Sequence, residues 1–140
     1  MLRIYMFAGL IPVVFFALLP LQYFKLLYIQ NMLFAYTSMI IVFLSGIQWH
    51  IGMVRKSNIL LTISVLLMFV CYVNYFYLSS LVYYTVRWLS QIVLLLIALL
   101  IDYFILINIS SEAAFLKLRV KITFLFIVAL LMIVLKIQYI

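Results

Sequence analysis

The chain of 140 residues is 72% hydrophobic and 8% charged, and it carries a net charge of +7 at pH 7. Soluble chains run roughly 45–50% apolar and 25% charged, and a globule of this length keeps too much of its surface in water to hide the excess. An ordinary water-soluble domain is excluded, and lipid is the expected solvent. The nine Lys and Arg residues lie between apolar runs, where the orienting charges of a membrane protein belong. None of these basic stretches is long enough to track a phosphate backbone, so no nucleic acid partner is expected.

A helix crossing a hydrocarbon core needs about 20 mostly apolar residues. Five segments meet that length, at about 4–20, 29–49, 59–78, 86–106 and 120–139. The expected fold is therefore all-α: an integral membrane bundle of five transmembrane helices with short loops, one transmembrane domain over residues 1–140. The first segment, IYMFAGLIPVVFFALLP, follows Arg3 as a signal peptide would, but no A-x-A cleavage pattern follows it. It reads as the first helix, kinked at Pro12 and ended by Pro20. The joints LQYFKLLY, HIGMVRKSN and SLVYYTV are short enough to set neighbouring helices antiparallel.

That alternation gathers Arg3, Arg55, Lys56, Lys117, Arg119 and Lys121 on one side of the membrane and Lys25, Arg87 and Lys136 on the other. The positive-inside rule makes the richer side cytoplasmic. A bacterial inner (cytoplasmic) membrane protein with a cytoplasmic N-terminus and a periplasmic C-terminus is expected, or one of a mitochondrial membrane in a eukaryotic source. Tyrosines and tryptophans near the predicted ends, among them Tyr23, Trp49, Tyr77, Tyr83, Trp88 and Tyr103, suit the headgroup level.

On the second helix a 3.6-residue period groups Ser38, Ser45, Gln48 or Trp49, and Gly52 in one broad sector, with Gly46 beside it. Small residues let another helix approach closely, and hydroxyl or amide groups bond across the contact, so the stretch reads as a packing seam. A polar pocket made by Gln48 and His50 is the sharper alternative. His50 is the only histidine, which leaves no metal or haem site in one chain, and it is placed at the cytoplasmic interface beside Arg55 and Lys56. Cys71 is alone in an apolar run and reads as a small buried hydrophobe.

The fourth helix sets Arg87, Gln91, Leu95, Ala98 and Asp102 on one stripe. Arg87 and Asp102 are about 22 Å apart along it and cannot pair with each other. Arg87 is expected to snorkel toward the headgroups, and Asp102 to answer a cation of the last joint: Lys117, Arg119 or Lys121. The last joint reads as a helix start, with Ser110 or Ser111 as cap, Glu112 in the first turn, and Leu116, Val120 and Phe124 as an apolar line. Arg55, Lys56, Lys117, Arg119 and Lys121 form an interfacial basic cluster that anchors the cytoplasmic side. No nucleophile stands beside a base, and phosphate loops and paired-cysteine motifs are absent, so neither enzymatic activity nor a cofactor is expected.

Three stretches, GLIPVVFFAL at 9–18, AYTSMIIVFLSGIQWHIG at 35–52 and FLKLRVKITF at 115–124, together resemble the transmembrane protein 69 family. That family comprises small bacterial inner-membrane proteins and mitochondrial relatives with about five predicted spans. Its hallmark resembles F-L-G-G-I-H-W-G, matched here by Phe43, Leu44, Gly46, Ile47 and Trp49, with Ser45, Gln48 and His50 departing from it. Leu118, Arg119 and Thr123 resemble a later L-R-L-x-L-T stretch, and Asp102 falls where members carry an aspartate. The resemblance implies a topology but no reaction. The expected role is a non-enzymatic accessory, assembly or interaction protein, with the bilayer and another membrane protein or a homo-oligomer as partners. A small transporter or channel using Arg87, Gln91 and Asp102 is the alternative.

Overall fold

Backbone N–H and C=O groups that meet no water must bond within their own segment, which leaves helices as the solution for a chain of this kind. The computed structural model describes residues 7–8, 10–20, 22, 27–79, 84–106 and 113–138, and they form five α-helices. These are α1 (Ile11–Leu18), α2 (Leu27–Val54), α3 (Asn58–Ser79), α4 (Tyr84–Leu106) and α5 (Ala113–Gln138). Helices α2 to α5 are each long and apolar enough to cross a membrane. The protein is thus a membrane-embedded all-α bundle.

Its helices are not packed in chain order. α2 lies along α3 and α4, α4 lies along α5, and α1 packs on α5 at the far edge. The side-chain contacts set the directions. Gln48 of α2 reaches Asp102 of α4, and Phe34 of α2 meets Trp88 of α4, so these two helices run parallel and in register. Lys136, near the end of α5, donates to the carbonyls of Ala17 and Leu19 at the end of α1, so α1 and α5 are also parallel. A cation there complements the negative end of the helix dipole and satisfies carbonyls that have no helical partner.

Three expectations change in the structure. Pro12 does not kink α1; it sits in its first turn, where a missing N–H costs no hydrogen bond. Residues 4–6 of the predicted first span lie outside the described residues, as do Ser110, Ser111 and Glu112 of the predicted cap. The second helix does not stop near residue 49 but continues through HIGMV, since Gly52 alone does not break a helix whose next turn can close on itself. The closure is a Schellman motif: Lys56 takes a positive φ of 54°, its N–H bonds Met53 O, and the Ser57 N–H bonds Gly52 O at 3.0 Å. Ser57 Oγ then accepts from Leu60 N at 3.4 Å and caps α3, so the joint HIGMVRKSN shrinks to Arg55, Lys56 and Ser57.

This tight turn presses α2 against α3. A Cβ added at Gly52 would lie 3.2 Å from Leu61 N, Cγ and Cδ2, while one at Gly46 would meet only the flexible end of Met68 at 3.8 Å. The close approach of the seam is therefore at Gly52, not at Gly46. The third change concerns Trp88, which is fully buried against Phe34 instead of standing at the headgroups. Large apolar side chains such as Phe43, Phe69, Phe104 and Phe124 face outward, as a bundle with lipid for solvent allows.

Two stability predictions follow from the turn. Replacing a mid-helix glycine by alanine gains about 0.5–1 kcal/mol when the new methyl group has room. Gly46→Ala should keep that gain, Gly52→Ala should lose it to the contact with Leu61, and equal thermal stabilities of the two variants in detergent would refute the assignment. Lys56→Gly should raise stability by about 1 kcal/mol in the same assay, because glycine carries no penalty in the left-handed region; a lower melting temperature would show that the Lys56 side chain contributes more than its backbone costs.

Candidate functional site

Among the described residues, the second and fourth helices carry most of the buried polar side chains, and their parallel register decides which of these meet. Ser38 and Gln91 are 53 residues apart and Gln48 and Asp102 are 54 apart, a nearly constant offset that keeps equal heights opposed along the contact. Two polar clusters result, one toward each end of the pair.

The first is built on Asp102. Its Oδ2 accepts Nε of Arg119, on α5, at 2.7 Å, and its Oδ1 accepts Nε2 of Gln48, on α2, at 2.8 Å. The same Gln48 Nε2 donates to Ala98 O on α4 at 3.0 Å. Asp102 and Arg119 are 5% and 7% exposed and Gln48 is fully buried, so this is an ion pair removed from solvent, with each carboxylate oxygen taking one donor. Burying either charge alone in such surroundings is costly, and the pair with its amide partner is the arrangement that offsets the cost. Of the three cations expected to answer Asp102, the structure selects Arg119. Lys117 and Lys121 project outward from the same helix, a half turn from Arg119.

The predicted basic cluster is thus divided. Arg119 is buried in the ion pair, while Arg55, Lys56, Lys117 and Lys121 remain exposed at that end of the bundle. Arg55 Nη1 also donates to Ile105 O at 3.3 Å, joining the end of α2 to the end of α4.

The second cluster surrounds Phe34 and Ser38. Gln91 Nε2 donates to Ser38 Oγ at 2.8 Å, Ser38 Oγ donates to Phe34 O at 2.9 Å, and Cys71 Sγ on α3 donates to Ser38 O at 3.5 Å. The guanidinium of Arg87 lies over the Phe34 ring, 4.1 Å from its centroid; Tyr75 stacks on the same ring at 5.7 Å and Trp88 meets it edge-on at 5.9 Å. Arg87 is 1% exposed and so does not snorkel to the headgroups; a cation over an aromatic face replaces that solvation inside the protein. In both clusters the glutamine uses its amide N–H groups, while the buried Oε1 of Gln48 and of Gln91 has no hydrogen-bond partner among the described residues.

The predicted stripe of Arg87, Gln91 and Asp102 exists as a line on α4 but not as a continuous polar path. Eleven residues, about 16 Å of helix, separate Gln91 from Asp102, and the buried side chains of Ile41, Leu44, Leu94 and Leu95 fill the level between them. The motif on α2 is likewise split. Leu44, Ser45 and Gln48 are buried, Gly46 and Ile47 are half-buried, and Phe43 and Trp49 face outward, because seven consecutive helical residues turn through nearly two full circles. Ser45 Oγ donates to Ile41 O in its own helix. Gln48 and His50 form no joint pocket, since Gln48 points into the bundle and His50 out of it. Among the described residues no three His, Cys, Asp or Glu side chains come together. The link from Gln48 to Asp102 was not read from the sequence; a parallel alignment of the second and fourth predicted spans is the signal that contains it.

Removing one member of a buried ion pair typically costs 3–5 kcal/mol, roughly, while replacing both by apolar groups costs much less. Asp102→Leu is therefore expected to destabilise the protein by about 3–5 kcal/mol in detergent, and the Asp102→Leu/Arg119→Leu double variant to recover a large part of that loss. Additive losses in the double variant would refute the pairing. No family model, curated protein or solved structure matches the chain.

Proposed function

We propose that the protein is a non-enzymatic accessory, assembly or interaction protein of a bacterial inner membrane, acting through helix-helix packing. One observation carries this reading: the buried Gln48, Gln91, Asp102 and Arg119 of α2, α4 and α5 are engaged across helix contacts instead of lining a common passage. Asp102 is held by Arg119 and Gln48, Gln91 by Ser38, and an apolar layer closes the level between them. A transporter or channel needs polar groups that water or an ion reaches in sequence along the membrane normal. The resemblance to the transmembrane protein 69 family agrees with a small multi-pass membrane protein and adds no reaction to it.

The orientation proposed with this function follows the exposed cations. Arg55, Lys56, Lys117 and Lys121 share one end of the bundle, and Lys136 lies at the other, which favours a cytoplasmic N-terminus and a periplasmic C-terminus.

Purified protein in liposomes is expected to raise neither proton nor monovalent-ion flux above that of protein-free vesicles, and Asp102→Asn to lower folded yield without changing flux. Wild-type flux that Asp102→Asn abolishes in a folded protein would replace the accessory reading with the transporter one. A reporter active only in the cytoplasm, fused after residue 140, is expected to stay silent.

A further inference from the structure

Arg119 spends only part of its guanidinium on Asp102. Its Nε makes the ion pair, while Nη1 and Nη2 have no hydrogen-bond partner among the described residues. Neither is sealed from the surface, and the 7% of Arg119 that remains exposed includes this outer edge. Arg55 approaches the same place from α2. It lies seven residues beyond Gln48, hence on the same face and about 10 Å nearer the end of the bundle, and its side chain turns back to the Ile105 carbonyl. Ile105 is one turn of α4, about 5 Å, beyond Asp102. An interfacial arginine ordinarily extends away from the core toward water; this one reaches inward.

Two guanidinium groups therefore converge on the last turn of α4. Among the described residues Asp102 is the only acid, and it answers one of the two. The negative end of the α4 dipole offsets roughly half a charge more, and Lys56, exposed next to Arg55, restores it. A single positive charge is left over. We propose that the outer edge of Arg119 and the guanidinium of Arg55 form a binding site for the phosphodiester of an anionic phospholipid. The inference goes beyond the accessory reading and does not depend on it.

Three features favour this ligand. The planar fork of arginine matches phosphate oxygens two at a time, and the donors left open on Arg119 are of that kind. A phosphodiester carries one negative charge, which equals the surplus. Finally, the site lies where α2 and α4 end, at the level of the lipid headgroups, and basic pockets between membrane helices at that level hold such headgroups. Lys117 and Lys121 project from α5 about half a turn away from Arg119 and stand outside the site.

The test uses full-length protein in an uncharged detergent, titrated with phosphatidylglycerol or with phosphatidylcholine. Bound lipid is counted by native mass spectrometry, and the melting temperature is read in parallel. Wild type is expected to bind one phosphatidylglycerol in preference to phosphatidylcholine and to melt higher with it. Arg55→Gln should weaken that binding by about tenfold, with its lipid-free melting temperature unchanged. Arg119→Lys keeps a cation on Asp102 but lacks the outer edge of the fork, and is expected to lose the preference as well. Lys117→Gln should change it by less than about twofold. No preference for phosphatidylglycerol, equal losses in Arg55→Gln and Lys117→Gln, or displacement of the lipid by an excess of inorganic phosphate would each overturn the proposal. The first two outcomes leave only diffuse surface charge, and the last assigns the site to a soluble phosphate. Ion flux that depends on Asp102 would overturn the accessory reading and leave this site in place.

Discussion

The carboxylate of Asp102 is the point on which three helices agree. The chain has only two acidic residues, and this one lies deep in a bundle whose surroundings give a bare charge no solvation. It is tolerated because α5 brings a guanidinium and α2 an amide to its two oxygens at the same time. Sliding any one of these helices by a single turn, about 5.4 Å, would strand a charge or an amide in the core. The ion pair adds little net stability beyond what an apolar core would provide, but it penalises every other register heavily.

That distinction matters more in lipid than in water. Between helices dissolved in hydrocarbon, burial of apolar side chains does not discriminate one partner from another, because lipid tails solvate leucine as well as a neighbouring helix does. Shape and polar contacts must choose instead. Here the choice is made twice along α2 and α4, by Gln48 with Asp102 and by Ser38 with Gln91, and the interval between the clusters is left to ordinary packing. Gly52 contributes the corresponding choice for α2 against α3, where the backbone and side chain of Leu61 come close enough to crowd an added Cβ.

The existence of the four long helices was legible in composition alone, because a run of about 20 apolar residues has few alternatives. So was the need of Asp102 for a cation of the last joint. What the sequence did not disclose were matters of relative placement. Arg87 and Trp88 sit at the start of a span, where one-dimensional reading assigns them to the headgroups, yet the aromatic group of Phe34 and Tyr75 draws both inside. The extension of α2 to Val54 depended on a backbone closure at Lys56, a residue type that rarely takes positive φ. Gln48 was visible as a polar residue on a seam, but its partner lies 54 residues away and became apparent only once α2 and α4 were known to be parallel.

The latch between Lys136 and the end of α1 bears on how the chain is made. α1 finds its main neighbour in α5, which is synthesised after the three helices between them, and its terminal carbonyls are met by a lysine only a few residues from the end of that helix. Synthesis proceeds from the N-terminus, and earlier segments generally settle first. α1 therefore has to wait until α5 has been made before it meets its main neighbour, so these two helices are joined late. Losing the final turns of α5 would therefore be felt at a helix far away in sequence, as an unanchored α1.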